Sequence, residues 1–260
     1  MNAPVRHASA ALPSSSPAAP EAPRVGRVLI LEADQFCADM LRQIAARAFP
    51  QASLSLVNRV SLAAAMIAIA SVDLLLTGLY LPDGDIIDFL AASLGQIPFP
   101  RVLVVTACQE QWVLQSLRQL AVEGVFDTVS EGGDQLGEAL RTVAMGCSYW
   151  SAATLEHLRR QRAAPNAYWR LLTPSEQRIL AVIGDGCDDQ SAAERLQMKP
   201  SSVQSARREI HRKLGVQHKG DLVQLAVQNG FVRFGPAGVS RPGFSILQAA
   251  CHQAKRDLKQ

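Results

Sequence analysis

Residues 172–215 read LTPSEQRILAVIGDGCDDQSAAERLQMKPSSVQSARREIHRKLG, and the punctuation of this stretch limits the chain more than any other feature. Thr173 stands directly before Pro174 and three positions ahead of Glu176. That pattern predicts a helix capped by Thr, with Pro as its first helical residue and Glu reaching back to the cap. Ile179, Leu180, Val182 and Ile183 supply its buried face, and Gly184 and Gly186 end it. Residues 191–196 read as a second helix, with Ala192, Ala193 and Leu196 apolar. Met198, Lys199 and Pro200 make a turn, Ser201 or Ser202 caps a third helix through Leu214, and Gly215 stops it as a C′ glycine. Such a unit is too small and too basic at one end for a catalytic core. It suits the presentation of one helix to a nucleic-acid groove.

In the third helix Val203, Ile210 and Leu214 recur at helical spacing and are expected to face the core. Gln204, Ser205, Arg207, Arg208 and His211 are then expected to point away. Amide, hydroxyl and guanidinium groups on one face are what base edges and phosphates require. Lys199, Ser201 and Ser202 at the start of the helix and Lys213 near its end complete the candidate DNA-binding set. Arg212 and Lys213 fit phosphate contacts and helix C-terminal charges equally well. His211 reads as a surface residue and not as a metal ligand.

This segment closely resembles the LuxR/FixJ (NarL) type of helix-turn-helix domain. The matching residues are Leu172, Thr173, Pro174, Glu176, Ile179, Leu180, the run 192–196, Ser202, Val203 and the run 213–216. The resemblance covers roughly residues 170–232. It implies four helices, the third entering the major groove and the last, residues 220–228, often making dimer contacts. A departure is the run 187–190, where relatives usually carry a small polar pair and Lys. The acids Asp188 and Asp189 there would weaken a phosphate contact.

Upstream, strands and helices alternate. Strands are expected at 27–31, 53–57, 73–77, 101–106 and 125–129, and helices at 36–48, 62–70, 86–94, 112–122 and 136–145. Apolar strands separated by helices imply an α/β fold: a five-stranded, doubly wound parallel sheet covered on both faces. Functional groups gather at the carboxyl ends of such strands. This unit resembles the receiver domain of two-component response regulators. In that family two acids after the first strand bind magnesium, an aspartate ending the third strand accepts phosphate, a Ser or Thr ends the fourth, and a lysine ends the fifth.

Little of that device is kept here. The loop after the first strand is Glu32, Ala33 and Asp34, so Ala33 replaces one of the usual acids and Asp34 substitutes for it only in part. Gly78 takes the place of the phosphate acceptor, Thr106 matches the hydroxyl, and Thr128 aligns with the lysine. A glycine offers no carboxylate nucleophile, and the loss of oxygen ligands at Ala33 and Gly78 weakens any magnesium site. Asp83, Asp85 and Glu32 occupy other loop positions and are unsuited to in-line attack. The resemblance therefore implies a pseudo-receiver that the standard phosphorylation route does not reach. The altered pocket reads either as a filled strand edge or as a site for a small molecule or partner.

The chain has 260 residues, 48% of them hydrophobic and 19% charged, enough for two ordinary domains. A net charge of +3 averages over unlike regions and says little about partners. Residues 1–24, rich in Ala, Pro and Ser, are expected to be a disordered tail. The remaining divisions are a degenerate receiver at 25–146, a linker at 147–168 broken by Pro165 and Asn166, the helix-turn-helix domain at 169–234, and an extension at 235–260. In the extension a flexible, turn-rich stretch after Phe234 precedes a helix at 244–258. Its expected roles are packing on the receiver or extending a dimer contact.

The five cysteines lack a CxxC pair, and Cys37, Cys108 and Cys147 read as buried small hydrophobes in a reducing cytoplasm. No membrane span or signal peptide is expected, the nearest apolar run being 61–76, cut by Asp73. No Ser/His/Asp, metal-ligand or phosphate-loop constellation is visible, so no enzyme, cofactor or metal is expected. The leading expectation is a phosphorylation-independent transcriptional regulator that binds double-stranded promoter DNA as a homodimer. The dimer would be held by apolar residues of the fourth or fifth helix such as Trp112, Leu120 and Val143. The rival readings are an anti-regulator that sequesters a related protein as a heterodimer, and a regulator gated by a small-molecule ligand in the altered pocket.

Overall fold

The computed structural model describes residues 25–93, 99–120, 122–164, 167–235 and 238–257. The expected tail at 1–24 and the helix break at Pro165 and Asn166 lie outside them, as do Leu94 and residues 258–260. The first half runs β1 (Arg27–Leu31), α1 (Gln35–Ala48), β2 (Ser53–Val57), α2 (Val60–Ile69), β3 (Leu74–Thr77), a two-strand hairpin of β4 (Tyr80–Leu81) and β5 (Gly84–Asp85), α3 (Ile86–Ser93), β6 (Arg101–Thr106), α4 (Gln111–Gln119), β7 (Gly124–Asp127) and α5 (Gly133–Ala144). Then come β8 (Tyr149–Trp150), α6 (Ala152–Ala163), α7 (Tyr168–Leu171), α8 (Pro174–Ile183), α9 (Asp189–Leu196), α10 (Pro200–Leu214), α11 (Lys219–Gln228), β9 (Arg233–Gly235), β10 (Gly238–Ser240) and α12 (Phe244–Asp257).

Alternation along the strands builds two cores. On β1, Leu29 and Leu31 face one side of the sheet with Leu75, Val102, Val104 and Val125. Val28 and Ile30 face the other with Leu74, Leu76, Leu103 and Phe126, under α1 and α5. Both faces are dry, which is why these strands read as continuous apolar runs. The sheet is parallel with order β2-β1-β3-β6-β7-β8 and has six strands, not five. The extra edge strand is a two-residue segment, with Tyr149 in register with Gly124 and Trp150 with Val125. It is too short to leave a periodic signal.

The helical half closes over a third core that includes Ile179, Leu180, Ile183, Leu196, Val203, Ile210, Leu222 and Phe231. Two members of this core come from elsewhere in the chain: Trp112 from α4 and Leu247 from α12. The indole Nε1–H donates to the Pro242 carbonyl at 2.6 Å, and the Trp112 backbone N–H to the Asn229 carbonyl at 2.9 Å. Tyr168 donates to Gln115 Oε1 at 3.1 Å. Gly230 sits at φ 82°, and a Cβ there would lie 2.7 Å from the Cβ of Glu110. Only glycine meets both demands.

The extension is a strap over both halves. Arg233–Gly235 pairs antiparallel with Gly238–Ser240 where a flexible stretch was expected. Arg241 donates to the Ala181 carbonyl and pairs with Asp185. The Ser245 backbone N–H donates to Asp88 at the start of α3 at 3.0 Å, and its hydroxyl donates to the same oxygen.

These contacts overturn the expected dimer surface, because Trp112 and Val143 are buried at 3% and 0% exposure and Leu120 is half-buried. Trp112 is covered by the chain's own helical half. Of the thiols read as buried, Cys108 is, while Cys37 and Cys147 are exposed. Among the described residues no helix is long and apolar enough to cross a membrane.

Candidate nucleic-acid interface and altered receiver pocket

Local chemistry fixes the ends of α8. Thr173 Oγ1 accepts from the Glu176 N–H at 3.3 Å, and Glu176 Oε2 accepts from the Thr173 N–H at 2.8 Å, the reciprocal capping box expected from the sequence. Lys213 on α10 then donates to both Glu176 oxygens, at 2.8 and 2.9 Å. Burial alone would raise the Glu176 carboxyl. The bonds from Lys213 and Thr173 outweigh it and hold the carboxyl below its ordinary range.

Asp188 caps α9 by accepting from the Ser191 N–H at 2.7 Å. Gln197 closes that helix in the left-handed region at φ 55°. The chain then turns into α10, which begins at Pro200. Its cap position is Lys199, without a side-chain bond, and not Ser201 or Ser202. Proline at the first helical position needs no N–H partner, so the cap bond is dispensable. Gly215, at φ 67°, ends α10 as expected.

The structure divides the candidate DNA-contacting residues in two. Lys199, Ser201, Ser202, Gln204, Ser205 and Arg208 are exposed along one face of α10. Arg207, expected to point outward, is turned inward with its side chain 15% exposed. Its Nε donates to Asp189 at 2.6 Å and its Nη2 to the Cys187 carbonyl at 3.1 Å. His211 is half-buried, its Nδ1 3.0 Å from the Val216 carbonyl, and Lys213 is engaged by Glu176. Positions 203, 207, 210 and 214 form one helical stripe (i, i+4, i+7, i+11), so the spacing that marked Val203, Ile210 and Leu214 as core also contains Arg207. Asp189 neutralises an internal arginine and does not stand free against a phosphate. Arg212 is exposed and paired with Glu209 at 2.5 Å.

The altered pocket lies at the carboxyl ends of β1, β3, β6 and β7. A Cβ built on Gly78 would collide with the Glu32 carboxylate, so Glu32 fills the place of the missing side chain. Glu32 Oε1 accepts from the Asp34 N–H at 2.9 Å. Asp34 in turn caps α1 by accepting from the Cys37 N–H at 2.8 Å, and that bond lowers its pKa. Ala33 and Thr128 are exposed. Thr106 Oγ1 accepts from the Cys108 N–H at 3.0 Å. Asp127, buried beside this group, accepts from the Val129 N–H and the Ser130 hydroxyl. Each of these polar atoms is held in a local turn.

Residues 170–226 match the bacterial regulatory proteins of the luxR family. The C-terminal helical unit is a LuxR-type helix-turn-helix domain. The chain is 26% identical over 147 residues to the transcriptional regulatory protein MctR of Rhizobium johnstonii, covering 56% of this chain and 67% of that protein. It is 28% identical over 138 residues to the response regulator GacA of Pseudomonas aeruginosa, covering 52% of this chain and 64% of that one. The chain thus spans about two thirds of the length of these relatives.

Solved structures share the fold across both halves. A chain of RcsB, from a structure of two RcsB dimers bound to two parallel DNAs, aligns with a TM-score of 0.55 at 18% identity, covering 78% of this chain and 98% of that one. RcsB from Salmonella enterica serovar Typhimurium bound to a promoter aligns with a TM-score of 0.54 at 18% identity, covering 79% and 98%. The architecture is therefore a receiver-like α/β sheet followed by a LuxR-type domain.

Proposed function

We propose that this chain is a sequence-specific DNA-binding transcriptional regulator that acts as a dimer and without phosphorylation. Its divisions are a pseudo-receiver at 25–146, a linker at 147–168, the LuxR-type domain at 169–234 and the extension at 235–260. The observation that carries the reading is the free face of α10, where Lys199, Ser201, Ser202, Gln204, Ser205 and Arg208 stand exposed while the domain's contacts to the sheet run through α7, Phe231 and the strap. A major groove admits one helix, and amides and guanidinium groups read its base edges. RcsB, a structural neighbour, is solved on DNA, which supports the same use of α10 here. Phosphorylation independence is supported by Glu32 filling the space beside Gly78. The test is titration of DNA fragments recovered by genomic footprinting. Gln204→Ala or Arg208→Ala is expected to cost about 1–3 kcal/mol of specific binding. Unchanged affinity in both variants refutes the assignment of the reading face.

Ligand gating has one observation in its favour. A cleft of about 530 Å³ lies between the β4–β5 and β9–β10 hairpins, with Ala33, Tyr80, Asp85, Arg233 and Phe234 among its lining. The Arg233 guanidinium stacks 3.6 Å above the Tyr80 ring centroid there. Saturable stabilisation by a metabolite in a thermal-shift screen supports this second reading, and the absence of any such shift counts against it.

A further inference from the structure

We infer that the cleft between the β4–β5 hairpin and the β9–β10 pair is a binding site for a flat aromatic carboxylate. The inference rests on the ligand-gating reading above and names the class of ligand. Residues directly opposed on two strands share a face. Tyr80 is opposed to Asp85 on one ribbon and Arg233 to Ser240 on the other, and the Arg233 guanidinium lies over the Tyr80 ring. The two ribbons therefore face each other through these pairs. The space of about 530 Å³ left between them is of the size that small-molecule sites have. Gly84, Gly235 and Gly238 stand in its walls, and Gly238, at φ 110°, occupies a conformation that favours glycine. Two ribbons whose facing backbones are partly bare of side chains make a slot, which suits a planar molecule.

The charge of the ligand follows from Arg233. Among the described residues it is in no ion pair. Glu110, whose charge acts on the Tyr80 hydroxyl, accepts from the Cys108 thiol and the Gln109 N–H. Asp85, the acid in the lining, is pushed up to about 7 by burial and by the charge of Asp88, so below that pH it offers the cleft a hydrogen and no charge. A cation without a counter-ion calls for an anion. A phosphate group, near two charges, would call for a second cation, and Arg233 is the one cation of the lining among the described residues. The stack on Tyr80 holds the guanidinium in place before a ligand arrives, so its fork meets a carboxylate at reduced cost in rotamer freedom. Ser240, opposed to Arg233, adds a hydroxyl donor on the same face. Phe234 and Val239 also line the cleft and are 53% and 41% exposed. An aromatic body over them removes that apolar surface from water. The bound molecule touches the sheet side through Tyr80 and the β9–β10 pair through Arg233, and so acts at the joint between the two halves.

The test is calorimetric titration of the full chain with cinnamate at about pH 6, where Asp85 is protonated. Saturable one-to-one binding is expected. Cinnamyl alcohol, which keeps the flat ring and lacks the charge, and octanoate, which keeps the charge and lacks the ring, should each bind about tenfold more weakly. Inorganic phosphate should not displace cinnamate. Arg233→Gln removes the charge from an exposed side chain and should weaken cinnamate about tenfold while leaving cinnamyl alcohol unchanged. Val239→Glu sets a like charge at the cleft and is a second probe with the same expected split. A loss of folding would move both ligands and is told apart by that split. No saturable binding of cinnamate, equal binding of the alcohol, or unchanged affinity in both variants each overturns the assignment. DNA titration with and without cinnamate separates the two readings. Binding that leaves DNA affinity unchanged keeps the site and refutes gating, whereas stabilisation by an uncharged or phosphate-bearing metabolite alone keeps gating and removes this ligand class.

Discussion

The indole of Trp112 and the ring of Phe231 lie face to face, 5.5 Å between centroids and 9° from coplanar, although 118 residues of sequence separate α4 of the sheet from the end of the LuxR-type domain. Tyr168 meets the same phenyl ring edge-on at 4.8 Å. Aromatic packing of this kind exceeds what area burial alone provides, and here it joins the two halves. Trp112→Ala is therefore expected to cost about 3–5 kcal/mol and to separate the halves. Chemical denaturation should show the loss, and limited proteolysis should cut residues 164–168 faster than in the wild type. Unchanged cleavage there would show that the halves stay docked without the stack.

Arg207 and Arg208 are neighbours with opposite tasks. Arg207→Ala leaves Asp189 without its partner, and a broken buried pair is expensive; with both side chains partly accessible, about 1–3 kcal/mol of stability should be lost. Arg208→Ala should leave the melting temperature within a degree or so of wild type and weaken DNA binding. Melting curves and DNA titrations of both variants check the division. The reverse pattern would return Arg207 to the reading face.

Asp85 makes stability depend on pH. Burial, then the charge of Asp88, pushes its carboxyl up to about 7, whereas an unfolded carboxyl titrates near 4. Between those values the folded state holds the proton that the unfolded state has lost, so this residue's contribution to stability falls as pH rises from about 4 to about 7. Asp85→Asn keeps an oxygen to accept from the Asp88 N–H and removes the buried charge. Its gain should be about 1–2 kcal/mol at pH 8 and should vanish near pH 4. Equal gains at both pH values would place the cause elsewhere.

Restoring the acidic side chain should not restore phosphoryl transfer. Gly78→Asp sets a carboxylate against Glu32, while Ala33 and Thr128 still supply neither a second acid nor an ammonium group. Incubation with acetyl phosphate and magnesium should give no added phosphate by intact mass. A mass gain of one phosphoryl group would show that the surrounding pocket retained its function.

Features held within a few residues of one another were legible in the sequence. Thr173 and Glu176 announced their capping box because both partners lie in one turn; the strands at 27–31 and 101–106 were plain because both faces of the sheet are largely dry there, and the edge strand at 53–57 because its Leu and Ser residues alternate. What escaped was set by distant partners. Trp112 looked available for a second chain because nothing near it in sequence reveals Phe231 or Pro242. Arg207 looked outward because its charge weighed more than its place on the core stripe. The vacancy at Gly78 was legible, but its filling by Glu32 depends on two adjacent strands. The pairing of 233–235 with 238–240 was hidden by glycines that also suit a flexible stretch.

The strap also carries a consequence of order. Arg241, Pro242, Ser245 and Leu247 lie after the LuxR-type domain, so they are the last of the joining residues to be synthesised. The sheet and α10 can both be formed on the ribosome before the strap that completes their tie has emerged. A product ended early by a stop codon or protease near position 235 would keep both halves and lose the strap, leaving the Trp112–Phe231 stack to hold them together. The orientation of α10 is therefore secured by residues made after α10 itself.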